Sequence, residues 1–336
     1  MSVYRAETRR LIKRRFTKFL VIGTLAVLVA IAAGMFFANH KVGPSQIAAA
    51  QAEADRNFQE QSRQAAQERQ RCEAAPGTAD AANYPPDCSQ LYTPTRADFD
   101  PQWYMPATFE FRKEFGDMVT ALAALTALMA FVVGASFVGA EWSSGGMMNL
   151  LLWRPQRLKV LGTKLLALLV GLTALTTVTA AVWTGLFWLI ADQRGSVSNM
   201  TSGAWQSFVL MEVRALTLVV VAGAVGFGLA SLGRHTAVAL GAAIGAIIVF
   251  QFGLGTVLSL ANVKFVEAYL IPIWGMAWMN KSVKLENYDA CNYSASGGCQ
   301  PDTLTITWPM AGGVLAAASV LVVGAAMWTM RSRDIT

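Results

Sequence analysis

Polar and charged side chains fall into three settings in this chain where they could act. The first is the stretch from Glu141 to Lys164, EWSSGGMMNLLLWRPQRLKVLGTK. An acid opens it and Gly145 and Gly146 follow. Met147, Met148, Leu150, Leu151 and Leu152 then make about two apolar turns, Pro155 breaks the run, and Arg154, Arg157, Lys159 and Lys164 lead into the next apolar block. This is the chemistry of contact rather than of bond breaking. A patch so apolar needs lipid or a protein partner, and flanking charges of this kind fix the orientation of a docked surface. The second setting is Glu212, Arg214 and Gln251, which lie within or beside apolar runs. Charge inside a membrane is costly and marks function by default. Residues two apart do not face each other on a helix, so Glu212 and Arg214 require separate partners. Structural or interfacial placement is the favoured reading for that pair, and all three are candidates for a substrate path. The third setting is four cysteines, Cys72, Cys88, Cys291 and Cys299.

What is missing narrows the chemistry. No G-x-x-x-x-G-K-[ST] occurs, so the chain has no phosphate-cradling loop of its own. The only histidines are His40 and His235 and no H-E-x-x-H occurs, which excludes a zinc centre built on paired histidines. No metal site is expected. A membrane acyl- or glycosyl-transferase would need convergent His, Asp or Glu residues near a membrane face, and the apolar runs lack them.

The elements that position these residues are membrane helices. Hydrophobic residues make up 54% of the chain and charged residues 14%, whereas a soluble domain carries about 25% charged residues. The apolar residues gather in blocks of about 20, the length that spans a hydrocarbon core. Six such spans are expected: Phe19–Ala38, Met118–Ala140, Leu165–Ile190, Ser207–Leu232, Ala237–Leu260 and Pro309–Met330. They are continuously apolar, without the alternation of a barrel wall, so each is read as α-helical. The first is read as a retained helix, because it exceeds a signal-peptide core of about 7–15 residues.

Basic residues orient the chain. Arg5, Arg9, Arg10, Lys13, Arg14, Arg15 and Lys18 precede the first span against Glu7 alone, and Arg154, Arg157, Lys159 and Lys164 follow the second. Arg234, Arg331 and Arg333 fall on the same side. Both termini are therefore placed on the cytoplasmic side of the membrane. Residues 1–18 read as a basic amphipathic helix, with Val3, Tyr4, Leu11, Ile12 and Phe16 as a lipid-facing stripe and cations that attract anionic headgroups.

The outer loops carry all four cysteines, which suits disulfides. Four cysteines allow three connectivities; the local pairs Cys72–Cys88 and Cys291–Cys299 are favoured. In the first outer loop, residues 39–117, Ser45–Glu73 has strong helix-forming composition and is expected to prolong the first span as a polar stalk. The proline-rich remainder forms an irregular cap tied back by cysteine. In residues 261–308, Leu270–Met279 is apolar but too short to span, suiting a re-entrant or interfacial segment. Glycines at 223, 226, 228, 233, 241, 245 and 253 suggest close packing between the fourth and fifth spans.

The Glu141–Lys164 stretch resembles that of the type-2 ABC exporter permeases. There an acid ends the second helix, followed by a Gly-Thr pair, a Leu-Leu pair, a proline, an arginine two residues on and a lysine opening the third helix. Glu141, Gly145 and Gly146, Leu151 and Leu152, Pro155, Arg157 and Lys164 match; Gly146 stands where threonine is usual, and Trp153 and Arg154 replace smaller residues. The resemblance extends to the six-helix layout, the basic N-terminal helix and the Arg333-Asp334 end. It implies an all-α membrane fold with an elbow helix, a cytoplasmic coupling helix within 141–164 and extracytoplasmic loops. It also implies ABC ATPase subunits holding ATP and Mg²⁺, a second or sister permease, and a lipid surround, with no cofactor in this chain and no nucleic acid. A polytopic sensor or assembly factor that binds a ligand through its outer loops is the alternative function.

Overall fold

A computed structural model describes residues 3–77, 83–153, 156–294 and 298–332. Six of its helices are long and apolar enough to cross a membrane, which follows from the six apolar blocks. The chain divides into two compact units, residues 1–31, 112–186 and 199–336, and residues 32–111 and 187–198.

The larger unit opens with α1 (Val3–Lys13) and enters α2 (Arg15–Ala38). It continues with α4 (Phe111–Ser143), the short α5 (Gly146–Trp153), α6 (Arg157–Arg194) and α7 (Ser202–Gly233). At 1.5 Å per residue α6 is about 57 Å long, well beyond a hydrocarbon core of about 30 Å. Its polar ends therefore continue the helix past its apolar middle. The next span runs through α8 (Thr236–Ala246), a π-helical stretch at Ile247–Leu254 and α9 (Gly255–Leu260). The last is α11 (Trp308–Ser332). The main core lies where α1, α4, α5, α6 and α7 meet, around Leu11, Phe137, Met147, Leu161, Leu168 and Phe227.

Glycine sets the closest approach. A Cβ at Gly226 would collide with the Phe131 carbonyl of α4, and one at Gly134 with the Gly223 carbonyl of α7. Gly226 of the fourth span thus serves contact with the second span, Gly223 meets Leu172 of the third, and Gly228 meets Val322 of the sixth. Gly241 and Gly245 of the fifth span face open space. Gly233 meets Val238 of the fifth span, so the close contact these glycines make between spans four and five falls at the turn that joins them.

Before the last span, α10 (Ile271–Asn280) starts with Pro272 in its first turn and buries Ala277 and Met279. An antiparallel hairpin follows, β3 (Ser282–Ser294) with β4 (Gly298–Thr307), pairing Val283 with Ile306 and Leu285 with Leu304. The purely helical expectation is corrected here. The segment is polar enough to read as a loop, yet Val283 and Leu285 alternate with Lys284 and Glu286, and the apolar pair packs with Ile306 against Ala277 and Ala311. The side chains of Cys291 and Cys299 lie outside the described residues, so their expected disulfide does too.

The smaller unit is built on α3 (Pro44–Ala74). This helix does not prolong α2. Residues 39–43 are non-helical, Gly43 caps the new helix and Pro44 opens it, the position where proline's missing N–H costs nothing. Short 3₁₀ turns at Cys88–Gln90, Arg96–Phe99 and Pro101–Tyr104 fold back on α3. Cys72 and Cys88 form the expected disulfide. The Arg96 guanidinium meets the Asp55 carboxylate at 2.7 Å and lies over the Phe58 ring, which packs edge-on against Phe99. Two residues of β1 (Phe109–Glu110) pair in parallel with β2 (Gly195–Ser196).

Candidate functional site

The stretch from Glu141 to Lys164 becomes two helix ends joined by α5. Glu141 lies in the last turn of α4. Gly145 makes the turn out of α4 with φ +72°, a conformation that suits glycine because it lacks Cβ. Gly146 then opens α5. Met147 is fully buried in the core, whereas Leu152 is 82% exposed and Met148 is exposed too. The helix is therefore pinned at its start and presents apolar surface at its end. The Leu151 side chain and the whole of Pro155 lie outside the described residues. Arg157 opens α6.

Lys164 occupies the most enclosed position at this site, with its side chain at 0% exposure. Its Nζ stands 2.7 Å from Glu7 Oε2 of α1 and 2.6 Å from Glu141 Oε2 of α4, and 5.4 Å from the centroid of the Phe137 ring. Arg10 completes the cluster, with Nη1 donating to Glu141 Oε1 at 3.3 Å and lying 3.6 Å from Glu7 Oε1. Arg14 donates from Nη1 to the Ser136 carbonyl at 2.6 Å. Burial pulls the Arg14 guanidinium below its ordinary value, with the Glu141 charge pulling the other way; arginine stays charged throughout. Two carboxylates and two cations thus fasten α1, α4 and α6 together. Charges held this deep persist only when paired and hydrogen-bonded.

Sequence reasoning found Glu141 and Lys164 but missed Glu7, Arg10 and Arg14 as their partners. The available signal was Glu7, the lone acid among the cations of residues 1–18. It also misplaced Leu11, which is buried in the core and packs against Gly171 of α6. Ile12 and Phe16 of the expected apolar stripe are exposed. The turn between α7 and α8 adds to the same end of α4. Arg234, in the left-handed region at φ 53°, lies over the Trp142 ring at 5.1 Å. His235 caps α8 by accepting the Ala237 N–H at its Nδ1.

The candidate path residues are not brought into one cluster. Glu212 accepts the Thr184 hydroxyl of α6. Arg214 donates to the Met279 carbonyl at 3.4 Å, lies over the Trp308 ring, and accepts the Trp278 indole N–H at its own carbonyl. The pair takes separate partners, as their spacing requires. Gln251 Oε1 is buried, with no hydrogen-bond partner among the described residues, inside the π-helical stretch. Such stretches occur frequently at functional sites. No cluster of metal-ligating residues occurs among the described residues.

The family model for the ABC-2 family transporter protein matches residues 1–328. The chain belongs to the ABC-2 transporter family. Its match covers α1, the loop with α5, the first five long apolar helices and the sixth as far as Trp328. A search of curated proteins found no match. As an ABC-2 protein it is a multi-pass membrane component of transport, in a family that generally works with ATPase subunits.

Proposed function

We propose that this ABC-2 protein is the permease subunit of an ATP-driven exporter in the plasma membrane. It forms the substrate path with a second permease and docks a separate ATPase through residues 141–164. The ATPase holds ATP and Mg²⁺. Both chain ends and residues 141–164 face the cytoplasm, and residues 39–117 and 261–308 face out, with Glu212, Arg214 and Gln251 as path candidates. The observation that carries the reading is α5. A helix of eight residues is too short to be stable alone, yet here it is anchored by buried Met147, flanked by the ion-paired Glu141 and Lys164, and ends in exposed Leu152. That arrangement suits a fixed apolar knob for a partner groove. The family resemblance assigns Gly145, Gly146, Leu151, Pro155 and Arg157 to the same contact.

The test is to purify the permease with its ATPase and compare Leu152→Ala and Arg157→Glu with Gln59→Ala on α3. Losing a buried leucine costs about 2–5 kcal/mol, enough to release the ATPase at micromolar subunit concentration. Arg157→Glu is expected to weaken retention further through an unpaired interfacial charge. Full retention and normal substrate-stimulated turnover in both variants removes the coupling assignment. A reporter fused at Gln156 that reads as extracytoplasmic overturns the topology.

A further inference from the structure

Beyond its ion pairs, the face of α1 borders a cleft of about 610 Å³. Arg9, Arg10, Lys13 and Arg14 line it, with Phe137 and Glu141 opposite. Four cations stand against one carboxylate, and that carboxylate already faces Lys164 and Arg10. A second cleft of about 320 Å³ flanks the helix and shares Arg9 and Lys13, with Tyr4 and Ile12 in its wall. The open charge is therefore concentrated on Arg9 and Lys13, both exposed. Arg10 and Arg14 enter already oriented by Glu141 and by the Ser136 carbonyl.

What lies beside the cleft indicates what fills it. Ile12, Phe16 and Phe19 are exposed, at 63%, 44% and 74%. The chain turns from basic to apolar between Lys18 and Phe19, within α2, a helix apolar enough to cross a membrane. A free anion would use the cations and leave the apolar ridge bare. A molecule with an anionic head and hydrocarbon tails uses both, and basic clusters at the end of a membrane helix are the feature that recruits such lipids. We infer that this cleft is a specific site for the phosphate headgroup of an anionic phospholipid, with its acyl chains along Ile12, Phe16 and Phe19. The lipid headgroup then sits on the helix that also supplies Glu7 and Arg10 to the Lys164 cluster. The site does not depend on which partner α5 docks.

The experiment is a native mass-spectrometric titration of the full-length purified chain with phosphatidylglycerol or with phosphatidylcholine of the same acyl chains. Phosphatidylglycerol is expected to bind more tightly. Arg9→Gln with Lys13→Gln removes the two open cations and is expected to weaken phosphatidylglycerol binding about 30-fold, which corresponds to about 2 kcal/mol. Arg9→Lys with Lys13→Arg keeps the charge and is expected to retain binding. Arg63→Gln with Arg71→Gln removes the same charge from α3 and is expected to change nothing. Equal binding of the two lipids by the native chain overturns the inference. So does an equal loss in the α3 variant, which would mean general attraction, or loss in the charge-keeping variant, which would mean a damaged fold. Displacement of phosphatidylglycerol by inorganic phosphate alone would assign the cleft to a free anion and overturn the lipid.

Discussion

Replacing Lys164 by Met tests whether the charge cluster fastens α1 to the bundle. The substitution keeps the length of the side chain and deletes one charge. Two carboxylate oxygens, at 2.7 and 2.6 Å, lose their nearest cation. Breaking a buried pair in this way costs about 3–5 kcal/mol. Arg10 remains within 3.3 and 3.6 Å of the same two acids and offsets part of the loss, though only part, because its side chain is 60% exposed and screened. The expectation is therefore the lower end, about 3 kcal/mol. Glu7→Gln in the Lys164→Met background removes one of the stranded charges, so the double variant is expected to fall short of the summed single effects by about 1–3 kcal/mol. Lys159→Met, on the exposed face of α6, is the reference and should change stability by less than about 0.5 kcal/mol. The assay is denaturant unfolding in mixed micelles with hydrogen exchange over residues 3–13, where loss of the clasp first shows as faster exchange in α1. If Lys164→Met behaves like Lys159→Met, or if the double variant is strictly additive, the three helices are held by apolar packing alone and the cluster is incidental.

Two further outcomes follow from the fold. Reducing Cys72–Cys88, or replacing both by Ser, opens a loop whose ends are 16 residues apart; a loop of that length contributes about 3 kcal/mol. Limited proteolysis should then cut residues 83–106 readily while α4, α6 and α7 stay protected, and non-reducing peptide mapping should recover the Cys72–Cys88 link from the native chain. Gly226→Ala forces a Cβ onto the Phe131 carbonyl, and overpacking of this kind costs about 1–3 kcal/mol. Gly241→Ala, which meets open space, should leave the unfolding midpoint unchanged or raise it slightly by restricting the unfolded chain.

The membrane helices were legible because their signal is local. An apolar block of about 20 residues has few alternatives in lipid, and the six long helices contain the six expected spans. Their ends were less legible because residues such as Arg157–Lys164 and Phe111–Asp117 are polar enough to leave the apolar block yet continue the helix. The Cys72–Cys88 bond was legible because the sequence separation is short and the surrounding prolines indicate a compact cap. The break at residues 39–43 was written in Gly43-Pro44, a helix start that the composition of Ser45–Glu73 alone does not reveal. The hairpin was missed because its alternation is carried by only two residues, Val283 and Leu285, on the β3 strand, and their value depends on Ala277 and Ala311 being brought beneath them.

The charge cluster was the least legible part, for a reason that also bears on function. Glu7 lies more than a hundred residues along the chain from both Glu141 and Lys164, and nothing local in α1 marks Glu7 as buried except its isolation among cations. Apolar packing tolerates sliding, because many registers bury similar area, whereas an ammonium within 2.7 Å of two carboxylates satisfies them in one register only. The cluster sits at both roots of the α5 loop, at the end of α4 and near the start of α6. Under the proposed coupling, a push on exposed Leu152 cannot be absorbed by α5 bending on a loose hinge. Met147 holds the near end in the core, and Glu141 and Lys164 hold the two helices the loop connects. A displacement of the loop therefore reaches α4 and α6 together, and through Glu7 it reaches α1.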